Sequence, residues 1–394
     1  MSVNNCGEAL RFVDRRNTNC SKWDGLLGKF GSADLQAMWV ADMDFQAPQC
    51  VRDALKDYLE QGVFGYYQMP SSYYEAFMQW ESGVHGYRVK REWLRVTPGV
   101  VPAINWFLQS MTAPGDEVLV LTPVYYPFMD AVKNNERRLV CCDLAVQDGK
   151  YTIDFARLEE TLRTHRVKAF VFSSPHNPVG RVWTREELTA LLDLMRSYGV
   201  FVISDEIHQD IVFEGSTHLP SASVGEYDDM LVTLTAASKT FNLAGLQNSL
   251  VIIPDEKIRA RFDDYLKKIR ITPSNPMGYI AVEAAYRGGA AWAAECRRQI
   301  FENYCLLRDA LQKRAPKAVV SPLEGTYLMW VDLGAYAKAG EMADFMEKRC
   351  GLAVDYGEWF GGERFGTFIR LNLATSHELA QAAAEKLCAA LEQC

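Results

Sequence analysis

Lys168-Ala-Phe-Val-Phe-Ser-Ser-Pro-His-Asn177-Pro-Val-Gly180, Thr184-Arg-Glu-Glu187-Leu-Thr-Ala-Leu-Leu-Asp-Leu-Met195 and Val200-Phe-Val-Ile-Ser-Asp205 follow one another along the chain. The first and third stretches open on short apolar runs, Lys168–Phe172 and Val200–Ser204, of the length expected for buried strands. Between them Thr184 and Glu187 stand three apart, the spacing of a capping box. The helix so opened carries Leu188, Leu191, Leu192 and Met195 at helical spacing, one face for a core. Strand, helix and strand at this spacing predict a parallel crossover. Further strands are expected at Val118–Leu121, after the turn Pro114-Gly115-Asp116, at Leu139–Leu144 and at Met230–Thr235. The expectation is an α/β fold whose large domain has a mostly parallel sheet flanked by helices.

Beyond about Ala290 the pattern changes. Helical stretches at Ala290–Lys313, Gly340–Lys348 and His377–Leu391 surround short strands at Thr326–Leu333 and Thr367–Leu373, which predicts a smaller α+β C-terminal domain. We place an arm at residues 1–45 that adds to the small domain, the large domain at 46–288 and the small domain at 289–394.

The chain has 394 residues, long enough for two cores. Its net charge of −8 gives no basic field for nucleic acid or anionic lipid. No apolar run approaches the roughly 20 residues of a membrane span, and the polar start of the chain is not a secretory signal. The ten cysteines include no CxxC pair, and the six histidines no HExxH, so no metal is expected. The ordinary reading of those cysteines is free thiols in the cytoplasm.

Ligands of such sheets gather beyond the carboxyl ends of the strands. There the sequence puts Asn177 within a rigid Pro-flanked loop, Asp205 with His208, and Ser238-Lys239-Thr240. Singly, each has a plain explanation as a turn residue, a helix cap or a surface lysine. An amide, an acid and a lysine at three successive strand ends point to one shared pocket. Thr97-Pro98-Gly99-Val100-Val101 precedes a helical stretch from Pro102 to Met111, which aims the amides of Gly99, Val100 and Val101 as an anion cradle.

Asn177-Pro-x-Gly180, Ser204-Asp205-Glu206, Ser238-Lys239 and Arg370-Leu371-Asn372 together resemble fold-type I pyridoxal-phosphate enzymes of the aminotransferase class, from about Trp39 to the C-terminus. Met38-Trp-Val-Ala-Asp-Met-Asp-Phe45, Ser204-Asp-Glu-Ile-His208 and Ser238-Lys-Thr-Phe-Asn-Leu-Ala-Gly-Leu-Gln247 are similar to its cystathionine β-lyase (C–S lyase) subgroup. The resemblance implies pyridoxal 5′-phosphate as cofactor, Lys239 bonding its aldehyde and then serving as base at the substrate Cα, and Asp205 at its ring nitrogen. It puts Asn177 at the phenolic oxygen, and Tyr125 on the ring face, with Tyr126 as the competing candidate. Ser238 and Thr240 would add hydroxyls at the phosphate. Tyr66 would reach the phosphate or substrate of a neighbouring subunit, which implies a homodimer with shared sites. Arg370 would grip the substrate carboxylate as a two-pronged donor, with Val40 and Ala41 closing the other side.

Two positions depart from the transaminase pattern. Gln247 stands where transaminases carry an arginine on the phosphate, and His208 where they carry a tyrosine; His208 serves the cofactor or simply lies behind it. Both departures agree with the lyase subgroup. The activity implied is β-elimination from L-cystathionine, L-cysteine or related cysteine S-conjugates, giving thiol, pyruvate and ammonia. Transamination is the alternative within the class, and a regulatory protein on the same fold the alternative outside it. The stretch Tyr356–Arg364, with glycines for mobility and aromatics for packing, is expected to form a lid or an entrance wall.

Overall fold

A computed structural model describes residues 9–271 and 275–394. Part of the N-terminal arm, residues 1–8, lies outside the described residues. Seven strands build the large sheet: β1 Leu94–Thr97, β2 Glu117–Thr122, β3 Arg138–Asp143, β4 Val167–Ser173, β5 Phe201–Asp205, β6 Leu231–Thr235 and β7 Ser249–Ile252, in the spatial order β1-β7-β6-β5-β4-β2-β3. All neighbours pair parallel except β7, which runs antiparallel to both β1 and β6. Five of the seven strands are those expected from sequence. β1 and β7 are additions. β7 is buried at every position, so it shows no alternation by which a strand is read.

The central strands are buried on both faces because helices cover both. The helix Arg185–Ser197 begins with the expected box. Thr184 Oγ1 accepts from the Glu187 amide at 3.2 Å, and Glu187 Oε2 accepts from the Thr184 amide at 2.9 Å. Its stripe of Leu188, Leu191, Leu192 and Met195 is at most 1% exposed, worth roughly 1.5–3 kcal/mol per side chain. The opposite face is covered by the helices Val100–Met111 and Glu256–Ile269, where Phe107 stacks on Phe262 with ring centroids 4.3 Å apart.

The smaller sheet consists of β8 Val319–Val320, β9 Leu328–Asp332, β10 Asp355–Tyr356 and β11 Phe368–Asn372, antiparallel throughout in the order β8-β9-β11-β10. The long helix Ala290–Arg314 and the helix His377–Leu391 pack on it. The expected helix at Gly340–Lys348 is instead a short turn, Met342–Asp344, running into a π-helix at Phe345–Cys350. The arm joins this region through Gln36–Ala37, which pairs in parallel with Leu352–Ala353.

Candidate active site

Adjacent strands deliver the site. β6 ends just before Lys239, β5 ends on Asp205, β4 leads to Asn177 and β2 leads to Tyr125. β1, parallel to β6 across β7, runs into Gly99 and the helix Val100–Met111. At this carboxyl edge lies a cavity of about 200 Å³. Its walls include Lys239, Asp205, Asn177, Tyr125, His208, Ser238, Ala41 and the run Gly99–Val101. Gln247 and Asn248 close the same cavity.

Burial governs the charges. Lys239 is pulled down to about 8, chiefly because burial disfavours its ammonium form. Its Nζ donates to the Ala41 carbonyl at 2.6 Å. Asp205 is pushed up to about 7 by burial, against one amide bond from Ile207 at 3.0 Å. His208 is held well below its ordinary value by burial, reinforced by Lys239 and Arg370, so its imidazole is neutral. A buried acid and a buried amine, each displaced toward its neutral form, are the marks of proton chemistry.

The segment that supplies Ala41 is fixed from two sides. Asn372 Nδ2 donates to the carbonyls of Val40 and Asp42 at 2.6 and 2.7 Å. Asn242 Nδ2 donates to Met43 O and Phe45 O, and its Oδ1 accepts from the Met43 amide. Tyr327, whose ring meets His208 edge-on, donates its hydroxyl to Ala41 O at 2.7 Å. These residues join the Lys239 loop, β11 and the arm into one frame around the amine.

Tyr125, rather than Tyr126, faces the cavity; Tyr126 packs edge-on against Trp359 and Phe360. Arg370 is not itself a wall of the cavity but reaches it through Asn177, whose Oδ1 accepts from Nη1 at 2.8 Å. Its Nη2 donates to Asp355, and the Phe360 ring lies 4.8 Å from its Cζ. Val40 likewise does not line the cavity; its carbonyl is taken by Asn372. Thr240 must be corrected. Its hydroxyl turns away and donates to Asp210 Oδ2 at 2.6 Å, in a buried group with Trp80 and His85. Tyr66 is wholly exposed and is not a wall of this cavity.

None of the stretch Tyr356–Arg364 lines the cavity, but it is tied to neighbouring segments of the chain. Phe360 O accepts from the Val124 amide at 2.9 Å, and Arg364 pairs with Asp143 at 2.6 Å. Two of its glycines serve close approach, since a Cβ at Gly357 would come 2.1 Å from the Phe365 carbonyl and one at Gly361 2.5 Å from the Phe365 ring, while Gly362 takes a left-handed φ of 91°.

The comparisons with known proteins bear on this geometry. The family described as Aminotransferase class I and II matches residues 38–387. The chain belongs to that family. Among its members, the chain is 39% identical over 380 residues to cystathionine beta-lyase PatB of Bacillus subtilis, covering 96% of this chain and 98% of that one. Cystalysin from Treponema denticola, crystallised with pyridoxal 5′-phosphate, superposes with a TM-score of 0.93 at 35% identity, covering 98% of this chain and 99% of that one. The PLP-bound C-S lyase from Staphylococcus hominis gives 0.91 at 35% identity, covering 97% of each. Within this aminotransferase family the chain is thus similar to enzymes named as carbon–sulfur lyases.

Asn242, Tyr327 and Asp355 were not singled out from the sequence. Asn242 stands in the quoted lysine-loop string, and its positive φ of 58° marks a constrained turn. Tyr327 and Asp355 carry no local signal, because strand pairing alone brings them to the site.

The donor set fits pyridoxal phosphate. At one end the helix Val100–Met111 starts without a side-chain cap, its first amides free for an anion, beside the Ser238 hydroxyl. At the other stand the buried amine and acid. Asn248 Nδ2 and His208 Nδ1 are buried without a protein partner, donor or acceptor capacity that a bound polar group would satisfy.

Proposed function

We propose that this chain is a pyridoxal-phosphate-dependent carbon–sulfur lyase acting by β-elimination on L-cystathionine, L-cysteine or related cysteine S-conjugates. The observation that carries the reading is Lys239, buried and pulled down to about 8, facing the same cavity as Asp205, Asn177 and Tyr125. The similarity to lyases over nearly the whole chain supports it.

Lys239 would hold the cofactor's aldehyde, Asp205 its ring nitrogen, Asn177 its phenolic oxygen and Tyr125 its ring face. The amides of Gly99, Val100 and Val101 and the Ser238 hydroxyl would take its phosphate, and His208 and Gln247 would complete the pocket. Bound there, the cofactor supplies an electron sink for the pair left at the substrate Cα. Lys239, with its ammonium form disfavoured, takes the Cα proton as general base. Asp205, raised by burial, would be drawn into its charged form by the ring cation it faces. Arg370, with Asn177, orients the substrate by its α-carboxylate, and the frame at Val40 and Ala41 holds the amine in line. The pair at Cα forms a double bond to Cβ as the Cβ–S bond breaks, and the sulfur leaves as thiolate, taking up the proton that Lys239 removed or one from water; the enamine that remains takes up water to give pyruvate and ammonia.

The working unit is proposed to be a homodimer. Leu59, Val63, Phe64 and Tyr66 form an exposed apolar run of the kind that a second copy covers, and Tyr66 would enter the neighbour's site. The proposed division is the arm 1–45, the large domain 46–288 and the small domain 289–394. No helix among the described residues is long and apolar enough to cross a membrane. The described cysteines are free thiols, which suits a reducing cytoplasm.

The test is to mix the purified holoenzyme with L-cystathionine, without any keto acid, and follow pyruvate and thiol together. Equal release of both is the expected outcome. Turnover only when a keto acid is supplied would make the protein an aminotransferase.

A further inference from the structure

We propose that Asp355 sets how tightly this site holds an α-carboxylate, by standing as a built-in counter-charge to Arg370. The inference rests on the reading of Arg370 as the substrate's carboxylate anchor.

Sheet register makes the two residues neighbours. Asp355 in β10 lies directly opposite Arg370 in β11, and opposed residues of an antiparallel pair keep their Cβ atoms about 5 Å apart on one face of the sheet. Asp355 Oδ2 accepts from Arg370 Nη2, and both side chains are 3% exposed. Nη1 is held by Asn177, the Phe360 ring covers the guanidinium face, and Nε is buried without a partner. Another cation near Asp355 is Lys29 of the arm, whose Nζ lies 4.2 Å over the Trp359 ring.

A substrate carboxylate therefore meets a guanidinium whose charge is already balanced, with a second carboxylate within a few ångströms. Like charges at such a separation in a protein interior weaken binding by roughly tenfold or more. The same repulsion acts on the 2-oxo acid product, which carries an identical carboxylate, and so hastens its departure. A buried acid against the anchor costs substrate affinity, and faster release of product is what that cost returns.

The experiment compares the wild-type holoenzyme with Asp355→Asn and Asp355→Ser, each checked by thermal melting. Two measurements follow: steady-state elimination from L-cystathionine, and calorimetric titration with pyruvate. The expected result is a KM lowered about tenfold and pyruvate bound about tenfold more tightly, while kcat changes far less. A merely structural counter-ion would give the opposite sign, because an unsupported Arg370 would raise KM and loosen pyruvate. Unchanged or weakened pyruvate binding in whichever variant melts like the wild type overturns the proposal. A wild type that releases no pyruvate from L-cystathionine strikes the lyase reading instead, and the pyruvate titration then judges Asp355 independently.

Discussion

Lys239, Asp205 and Asn177 come from three strand ends of the large sheet, whereas Arg370 and Asp355 come from two facing residues of one antiparallel ladder. In the first group the acid and the amine share a cavity without a direct bond between them, and burial moves both toward neutrality. In the second, burial raises Asp355 as well, but the carboxyl is set directly against the Arg370 guanidinium in a buried pair. The difference separates two tasks. A base such as Lys239 needs a protonation state near balance, and Asp205 a charge that a bound ring cation would call out, while a group that only orients a substrate needs a fixed charge in a fixed place.

The largest effect expected is at the amine. Lys239→Ala should keep the fold, lose the Schiff-base absorbance and slow pyruvate release by at least about 10³-fold, since it removes nucleophile and base together. Near-normal turnover in that variant would assign the chemistry to another residue and dissolve the contrast between the two groups.

The second group is tested through Arg370. Arg370→Ala should act chiefly on KM for α-carboxylate substrates, at a cost on the order of 2–5 kcal/mol, part of which is the penalty of leaving Asp355 buried and unpaired. The double variant Arg370→Ala/Asp355→Ala removes that penalty, so its melting temperature should recover while its KM stays high. Recovery of KM along with stability would mean that Arg370 serves the fold rather than the substrate.

The two groups also differ in how they could be read beforehand. The loops at Asn177, Asp205 and Lys239 each follow a short apolar run, and the topology of a parallel sheet brings consecutive strand ends to one edge. Asp355 follows Leu352-Ala-Val354 with nothing to mark it, and its meeting with Arg370 depends on the register of β10 against β11. Thr240 misled for a related reason. In the turn Ala237–Thr240 successive side chains point in different directions, so the neighbour of a cavity residue bonds Asp210 instead. Gly357 and Gly361 look like hinges in one dimension and prove to be contact points in three.

The smallest predicted effect concerns stability, and it sets Asp205 against the paired acid directly. Asp205 titrates at about 7 in the folded chain, against an ordinary 3.8. Between roughly pH 4 and 7 the folded state therefore holds a proton that the unfolded state has released, so this residue's contribution to stability falls as pH rises through that window. Below pH 4 the carboxyl is protonated in both states and costs nothing. Asparagine at this position cannot ionise. In the cofactor-free protein, Asp205→Asn should thus melt like the wild type near pH 4 and progressively above it toward pH 8, by a few kcal/mol at most, while elimination activity collapses. Thermal melts of both proteins across that range provide the check. A variant no more stable at pH 8 than the wild type would mean that the acid finds a partner in the cofactor-free protein, and the distinction between an acid left without a counter-charge and an acid paired to an orienting guanidinium would fail at its most exposed point.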